Sequence, residues 1–197
     1  MKKHLIYLAS GNARRFGKNK LLQEYDGKPL FLHGLERLLE AAEGDRSCEI
    51  TVVSRYPEIR AAARELGVRA VDAPESEKGI SCSIQAGIRA VRPCEEEDFL
   101  LFLCADQPHL FTDTIRRLLL RARPGTETAR LFAGTTPGNP VLFSAALIPE
   151  LMELRGDRGG KAILKRHTCI PVPAGNPLEL YDIDTEEDLR RQMECLE

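Results

Sequence analysis

The stretch best suited to chemistry is the basic, glycine-bounded segment LASGNARRFGKNK at residues 8–20. Gly11 and Gly17 remove side chains where the backbone can approach a ligand closely, and the amide groups near them can converge on an anion. The cationic side chains in the segment are Arg14, Arg15, Lys18 and Lys20. Such groups around converging amides suit the oxygens of a polyphosphate, and the forked guanidinium of Arg15 suits them especially.

Two well-known phosphate-binding motifs are excluded for this segment. A P-loop has four residues between its glycines and a Ser or Thr after its Lys. Here five residues separate Gly11 from Gly17, and Asn19 follows Lys18. The dinucleotide-binding fingerprint needs a second glycine two residues after the first, where this chain has Ala13. Taken alone, the segment fits either a polyphosphate-binding loop of another kind or a solvated surface turn.

A carboxylate follows the most apolar segment of the chain. Asp106 lies in FLLFLCADQP, just beyond a predicted strand and just before a turn that contains Pro108. Ligands of open α/β sheets bind beyond the carboxyl ends of the strands, so Asp106 is well placed to reach one. Mg²⁺ bound to a polyphosphate needs hard oxygen ligands of this type. An Asx turn after the strand explains Asp106 equally well.

A second group of acids lies near the end of the chain, in YDIDTEED. Asp182 and Asp184 are two residues apart at the end of a predicted strand at 178–183, so they would share one face of it if the strand continues to Asp184. If this strand neighbours the one before Asp106, then Asp184 and Asp106 can hold one Mg²⁺ between them. Otherwise Asp184 marks the start of a helix beside the capping residue Thr185.

Two hydroxyl side chains follow Gly79 in GISCSIQAG. Ser81 and Ser83 stand near the start of a predicted helix, where Ser is a favoured N-cap. At the ligand-binding end of a sheet the same hydroxyls can hydrogen-bond a base or a ribose. The residues themselves favour the N-cap interpretation.

Strand-like and helix-like segments alternate along the chain. The predicted strands lie at residues 4–9, 49–54, 68–71, 99–103, 131–134, 140–143 and 178–183, with a loop at 135–139. The predicted helices lie at residues 29–42, 57–66, 83–91, 115–122, 144–154 and 160–167, with a final helix from residue 185. This alternation predicts an α/β fold of three layers, in which helices cover both faces of a mostly parallel sheet. The length predicts a single domain over residues 1–197.

The composition argues against several classes of protein. A net charge of −2 without a basic stripe lacks the electrostatic footprint of nucleic-acid binding. No apolar segment approaches the about 20 residues that span a bilayer, and no signal-peptide core follows Met1, so we expect a cytoplasmic protein without membrane contact. The six cysteines and four histidines are scattered without zinc-type spacing. We therefore expect structural thiols and no metal site among these residues.

Six segments resemble, in order, the signatures of nucleotidyltransferases with the nucleotide-diphospho-sugar transferase fold, and particularly of the molybdenum cofactor cytidylyltransferases. LASGNARRFGKNK resembles LAAGxSxRxGxxK, GISCSIQAG resembles GxSxSxxxG, and LCADQP resembles GDQP. GNPVLF resembles GHPVLF, GDRGGKAIL resembles GDxGAR, and DIDTEED resembles DIDTPED. The resemblance covers essentially the whole chain and implies a Rossmann-like sheet of that fold type. It also favours phosphate binding over a solvated turn at residues 8–20.

The resemblance implies a role for each matching residue. The nucleotide-binding positions are matched by Ala9, Ser10, Gly11, Asn12, Ser81 and Ser83. The triphosphate-binding cations are matched by Arg15 and Lys20, which with Asp106 form the catalytic set. The Mg²⁺ ligands are matched by Asp106 and Asp184. The positions facing the second substrate are matched by Gly138, Asn139 and Pro140, together with residues 156–161.

The reaction implied by the resemblance is Mg²⁺-dependent transfer of CMP from CTP to molybdopterin or its metal-bound form. Pyrophosphate is released, and a molybdoenzyme is the implied recipient of the cofactor. Ser10 stands where the cytidylyl enzymes have Ala and the guanylyl enzymes have Gly, and Asn139 stands where His is usual. GTP as donor and a sugar or polyol phosphate as acceptor therefore stay open. A noncatalytic nucleotide-binding or cofactor-delivery protein is a further alternative.

Overall fold

A seven-stranded sheet forms the centre of the protein. The computed structural model describes residues 1–11 and 19–194. The strands are β1 (Lys3–Leu8), β2 (Glu24–Tyr25), β3 (Lys28–Pro29), β4 (Cys48–Ser54), β5 (Arg69–Asp72), β6 (Phe99–Cys104), β7 (Thr128–Ala133), β8 (Thr136–Ser144) and β9 (Cys169–Pro173). The order in the sheet is β5-β4-β1-β6-β8-β7-β9, and β2 pairs with β3 in a separate ribbon.

Most neighbouring strands of the sheet are parallel, as predicted. The run from β5 through β4 and β1 to β6 is parallel throughout, and β7 pairs in parallel with β9. Only β8 runs antiparallel to its neighbours, β6 and β7. The central strands β1 and β6 are buried on both faces, which explains why β6 is apolar throughout and β1 is apolar from Leu5 onward.

Helices cover both faces of the sheet. They are α1 (Leu30–Ala42), α2 (Pro57–Glu65), α3 (Ile80–Val91), α4 (Thr112–Leu119), α5 (Ile148–Met152), α6 (Lys161–Leu164) and α7 (Glu186–Glu194). One core contains Leu5 and Tyr7 of β1 with side chains of α1, α2 and α4. The other contains Ile6 and Leu8 of β1 with side chains of α3, α5 and α6. The predicted three-layer α/β/α fold is therefore confirmed.

The loop predicted at residues 135–139 is wrong, because most of it belongs to β8. A two-residue turn, Gly134-Thr135, joins β7 to β8, and Ala133 pairs with Thr136 directly across it. Gly134 has a φ of +58°, a left-handed conformation that suits such a tight turn. Gly138, Asn139 and Pro140 consequently lie on a strand of the sheet.

The strand predicted at residues 178–183 is also wrong. A 3-10 helix at Pro177–Leu180 replaces its first half, because a capping box starts a helical turn there. The Asn176 side chain accepts from Leu178 N, and the Glu179 carboxylate accepts from Asn176 N. The unpredicted edge strand is β9, whose two prolines are tolerated at the edge of a sheet.

Four predicted helices differ from the observed ones in their limits by more than one residue. The helix predicted at 115–122 is α4 at Thr112–Leu119. Helix α3 begins at Ile80 after Gly79, so Ser81 and Ser83 lie within it and the N-cap interpretation is wrong. The helices predicted at 144–154 and 160–167 shrink to a 3-10 turn at Ala145–Leu147, α5 and α6. In the part of the chain that the structure describes, five cysteines are free thiols and no helix is long and apolar enough to cross a bilayer.

Candidate functional site

The candidate site lies where β1 and β6 end. The backbone continues past β1 beside its neighbours, with Ala9 N donating to Val53 O at 2.9 Å. Ala105 N donates to Leu8 O at 3.1 Å, so the segments after β1 and β6 stay adjacent. This brings residues 9–11 next to Asp106, as expected for the carboxyl ends of neighbouring parallel strands.

Lys20 joins three distant parts of the chain at this end of the sheet. Its ammonium group donates to Asp106 Oδ2 at 2.8 Å, to Ile183 O at 2.8 Å and to Asp184 Oδ1 at 2.9 Å. The Lys20 side chain is only 6% exposed, whereas those of Asp106 and Asp184 are 22% and 58% exposed. The structure therefore brings Lys20, Asp106 and Asp184 together, as a shared role in binding a metal-bound triphosphate would require.

The charge of Lys20 is held in place by its partners. Burial lowers the pKa of Lys20, but the carboxylates of Asp106 and Asp184 outweigh this effect, so its pKa lies above the usual value. All three ammonium protons are donated within the cluster. Contact with a phosphate would therefore require Lys20 to exchange one of these partners.

Asp184 is positioned by backbone contacts and not by a strand. Ile183 N donates to Asp106 O at 3.0 Å, which fixes the segment before α7 against the end of β6. On the other side, the Asp188 carboxylate accepts from Asp184 N at 3.2 Å and from Thr185 N at 2.9 Å. Asp188 N donates back to Thr185 Oγ1 at 3.0 Å, so Thr185 caps the helix as predicted, as part of a capping box with Asp188.

Asp182 adds a third carboxyl group to this cluster. Part of the residue is exposed, but desolvation of its carboxyl group, followed by the negative charges of Asp106 and Asp184, raises the pKa of Asp182 to about 7. Asp106 and Asp184 contact the single Lys20, and Asp182 is close enough to interact electrostatically with all three. The cluster has an excess of negative charge that a further cation would offset.

A cleft of about 580 Å³ opens beside the cluster. Of the residues predicted to bind the nucleotide, those that line it are Ser10, Gly11, Ser83 and Asp106. Ala9 is fully buried behind the cleft, and Ser81 is buried outside its lining. Asn12 and Arg15 lie outside the described residues. The nucleotide-binding role of all these residues remains a prediction.

The hydroxyl group of Ser10 is used within the protein. It donates to Val53 O at 3.3 Å and accepts from Arg55 N at 3.1 Å. In the same region Ser54 Oγ donates to Ala9 O at 2.7 Å. Ser10 therefore ties the start of the basic segment to the end of β4.

Two loops meet backbone to backbone at the wall of the cleft. Ser81 N donates to Gly156 O at 3.1 Å, and both Gly79 and Asp157 line the cleft. Gly79 has a φ of +134°, and a Cβ placed on it would lie 2.3 Å from the carbonyl carbon of Gly156. Only glycine permits this approach, so Gly79 sets the separation of the two loops.

We expect Gly79→Ala to weaken nucleotide binding by about 10- to 100-fold, because separating the loops displaces groups that line the cleft. The matched control is Gly44→Ala, which also has positive φ, +79°, but has nothing within 4 Å of the added Cβ. Alanine at the positive φ of Gly44 costs about 1–2 kcal/mol. Gly79 has a φ of +134° and a ψ of +165°, a region essentially confined to glycine, so backbone strain of about 1–3 kcal/mol accompanies the clash in Gly79→Ala. Nucleotide titration and thermal melts separate the two effects, and equal losses of affinity in both variants would contradict the loop-spacing argument.

A second cavity of about 740 Å³ adjoins the first. Cys104 and Asp157 line both, so the two cavities share a wall beyond the end of β6. The second cavity combines two cations, Arg130 and Lys161, with the ring of Phe143. A phosphate-bearing ring compound would match this combination.

Only some of the residues predicted to face the second substrate line the second cavity. Asn139 lines it and donates from Nδ2 to Cys104 Sγ at 3.6 Å. Gly138 instead packs against Leu180, where a Cβ would come within 2.4 Å of the Leu180 side chain, and Pro140 is buried. Within residues 156–161, the lining members are Asp157, Gly159, Gly160 and Lys161.

Arg130 is not among the site residues that the sequence predicts. Its Nε donates to Gly138 O at 2.8 Å, and its burial lowers the pKa of the guanidinium. An arginine inside the apolar strand segment TARLFA was the available signal, since a buried arginine normally needs a partner or a ligand.

Comparison with known proteins identifies the family of this chain and solved structures with the same fold. The family described as MobA-like NTP transferase domain matches residues 5–170. The purine catabolism protein PucB of Bacillus subtilis (strain 168) is 28% identical over 205 residues, which cover 95% of this chain and 96% of PucB. A probable molybdenum cofactor guanylyltransferase of Pyrococcus horikoshii is 55% identical over 38 residues, which are 19% of this chain and 20% of that protein. A solved nucleotidyl transferase from Methanothermobacter thermautotroptrophicus superposes with a TM-score of 0.79 at 23% identity, covering 98% of this chain and 97% of that one.

Proposed function

This chain belongs to the MobA-like NTP transferase domain family of nucleotidyltransferases, and we propose that it transfers CMP from CTP to the phosphate of molybdopterin or its metal-bound form. The observation that carries the proposal is the convergence of Lys20, Asp106 and Asp184 beside the first cleft. In this reaction an acceptor phosphate oxygen attacks the α-phosphorus of the nucleotide, and pyrophosphate leaves from the opposite side. A general base is not needed, because a phosphate monoester is already ionised near neutral pH.

The two adjoining cavities support a division of the substrates. The nucleotide would occupy the first cleft, with its phosphates near Gly11 and Asp106. The acceptor would occupy the second, with its phosphate near Arg130 and Lys161 and its ring system near Phe143. Their shared wall at Cys104 and Asp157 would then bring the acceptor phosphate close to the α-phosphate. Holding the two reactants in line is the main contribution expected of the protein.

The acidic cluster fits a divalent cation. Asp106 and Asp184 both reach the same ammonium group within 2.9 Å, and their hard carboxylate oxygens are the ligands that Mg²⁺ prefers. When bound there, Mg²⁺ would offset the charge of the triphosphate and polarise the α-phosphate. Lys20 would exchange a carboxylate for a phosphate oxygen and neutralise charge on the leaving group. Arg15, which is outside the described residues, is proposed to do the same from the basic segment.

GTP is the second candidate for the donor, because short segments of the chain match probable molybdenum cofactor guanylyltransferases. The base is settled by measuring pyrophosphate release with CTP, GTP, ATP and UTP, each with and without molybdopterin. We expect molybdopterin-dependent release with CTP and at least about 10-fold less with the other nucleotides, the discrimination that about 1.4 kcal/mol supplies.

Other outcomes of this assay would support another donor, another acceptor or a noncatalytic function. Faster release with GTP would overturn CTP as donor and keep the acceptor. Release with sugar or polyol phosphates in place of molybdopterin would overturn the acceptor. Tight nucleotide binding without product from any acceptor would indicate a noncatalytic binding or delivery protein.

A further inference from the structure

A second group of metal-ligating side chains lies at the opposite end of the sheet from the cleft. It consists of His4 near the start of β1, and Cys94 and Asp98 in the loop between α3 and β6. One ligand atom from each residue lies within 4.8 Å of the other two. The five residue steps from His4 to Ala9, along β1 and its extension, separate this group from the cleft by about 17 Å.

His4 is the unusual member of the group, because its ring is buried without a hydrogen-bond partner. The residue is 1% exposed, and neither Nδ1 nor Nε2 makes a hydrogen bond. The nearest carboxylate oxygens are Asp98 Oδ2, 3.5 Å from Nε2, and Glu49 Oε2, 3.5 Å from Nδ1. Buried polar groups are rarely left unsatisfied, so an imidazole in this state indicates a ligand.

The other two side chains are fixed by the backbone while keeping capacity for a further bond. Asp98 is 3% exposed, and its carboxylate accepts from Lys2 N at 2.6 Å and from Glu95 N at 3.0 Å. Each oxygen retains a second lone pair. The half-buried Cys94 donates only weakly, from Sγ to Val91 O at 3.4 Å.

We propose that His4, Cys94 and Asp98 form a zinc-binding site. Imidazole nitrogen, thiolate sulfur and carboxylate oxygen together are a donor set typical of Zn²⁺ and unlike the all-oxygen set that Mg²⁺ prefers. Zn²⁺ binds as the Cys94 thiol loses its proton to solvent, with water as the fourth ligand. Bond lengths of about 2.0–2.3 Å require ligand atoms about 3.3–3.7 Å apart, so side-chain shifts of about 1 Å complete the site.

The surroundings of His4 support this assignment. Ligating histidines commonly donate their second ring N–H to a carboxylate, which orients the ring. Glu49 stands in that position opposite Nδ1, while Nε2 faces Asp98. Glu49 is itself held by Lys2, whose ammonium donates to Oε1 at 2.5 Å. The sequence shows no zinc-type spacing because the ligands come from a strand and a distant loop.

The test uses Co²⁺, whose charge-transfer absorption appears only when a thiolate is a ligand. The chelator-treated full chain is titrated with Co²⁺ in excess Mg²⁺, which occupies oxygen-only sites. We expect one equivalent of Co²⁺ to give the thiolate band and Zn²⁺ to abolish it by displacement. The absence of a thiolate band in the wild-type protein would overturn the proposal without any variant.

Two matched cysteine variants test whether Cys94 supplies the thiolate that gives the band. Cys94→Ser is expected to lose it and to weaken Zn²⁺ binding by more than the about 10- to 100-fold that loss of a second-shell partner costs. Cys48→Ser is expected to keep both, since Cys48 packs against the other face of the sheet. A band retained in Cys94→Ser, or lost equally in both variants, would contradict the site.

Asp98→Asn, checked by circular dichroism, tests whether misfolding explains a loss of Zn²⁺ binding. Lys2 N and Glu95 N donate to different oxygens of Asp98, so Asn keeps an oxygen for one of these backbone donors, loses the other hydrogen bond and removes the charged ligand. We expect this variant to keep the wild-type far-ultraviolet spectrum and to lose Zn²⁺ affinity by the same order as Cys94→Ser. Unchanged Zn²⁺ affinity in Asp98→Asn would leave only a cysteine adduct and would also overturn the three-ligand site.

Discussion

Asp106→Asn is expected to lower the rate of pyrophosphate release by about 10²- to 10³-fold, the effect of losing one preorganised electrostatic contact. Asn is nearly isosteric and keeps an oxygen that can accept from Lys20, which now lies 2.8 Å from Asp106 Oδ2. The fold should therefore persist while the charge is lost. With one fewer carboxylate in the cluster, the Mg²⁺ concentration for half-maximal rate should also rise.

Asp113→Asn is the matched control for this change. Asp113 lies on α4, its side chain is 86% exposed, and it pairs only loosely with Arg116 at 3.5 Å. Its removal should leave both the rate and the Mg²⁺ requirement unchanged. Steady-state rates over a Mg²⁺ titration test both variants. An Asp106→Asn protein with near-normal turnover and the same Mg²⁺ requirement would show that the cluster is structural.

The position of Asp106 could be predicted from the sequence because the signal is local. A continuous apolar segment that ends in a polar turn is typical of a central strand, and the carboxyl ends of such strands face ligands. The same rule explains why residues 9–11 lie next to Asp106 in the structure. Helix limits and the hairpin at Gly134 were less predictable, because a two-residue turn and the pairing of Ala133 with Thr136 decide them.

Asp184 shows a correct contact predicted for a wrong reason. The proximity to Asp106 was expected from a strand at residues 178–183, but that segment is a capped 3-10 helix followed by an irregular stretch. A hydrogen bond from Ile183 N to Asp106 O and the shared ammonium group of Lys20 make the contact instead. Apolar periodicity could not reveal this, since the capping box at Asn176 overrides it.

Arg130 and His4 show what a sequence pattern cannot provide. Each is a polar residue at or beside an apolar strand segment, and the pattern alone does not say whether its side chain faces solvent, a cavity or a buried partner. Their surroundings depend on what covers the sheet: partly buried Arg130 lines a cavity, and the loop with Cys94 and Asp98 lies next to buried His4. Functional residues defined by contacts between distant segments therefore emerge only once the chain is folded.

The second large effect is expected for Lys20→Met. Methionine keeps an apolar stem of similar length but removes the ammonium group that Asp106, Asp184 and Ile183 O share. We expect pyrophosphate release to fall by about 10²- to 10³-fold, because this cation would no longer neutralise the leaving group. Without divalent metal the variant should also be less stable by about 1–2 kcal/mol. That is below the 3–5 kcal/mol of a broken fully buried pair, since Asp184 is 58% exposed.

The stability of this variant gives an independent test of the metal site. Once Lys20 is gone, Asp106 and Asp184 face each other without a cation, so Mg²⁺ should bind them more tightly than in the wild type. Mg²⁺ should consequently raise the thermal midpoint of Lys20→Met more than that of the unmodified protein, since a ligand of the folded state stabilises it by mass action.

Lys3→Met is the control for loss of a lysine–aspartate pair. The side chain of Lys3 is 15% exposed, and its ammonium lies 2.7 Å from Asp45 Oδ2 at the other end of β1. This control should lose some stability but show the wild-type response to Mg²⁺ and the wild-type rate. If Mg²⁺ shifts the midpoints of Lys20→Met, Lys3→Met and wild type equally, the two carboxylates do not hold the metal. Catalysis would then have to depend on cations alone, from Lys20 and the basic segment.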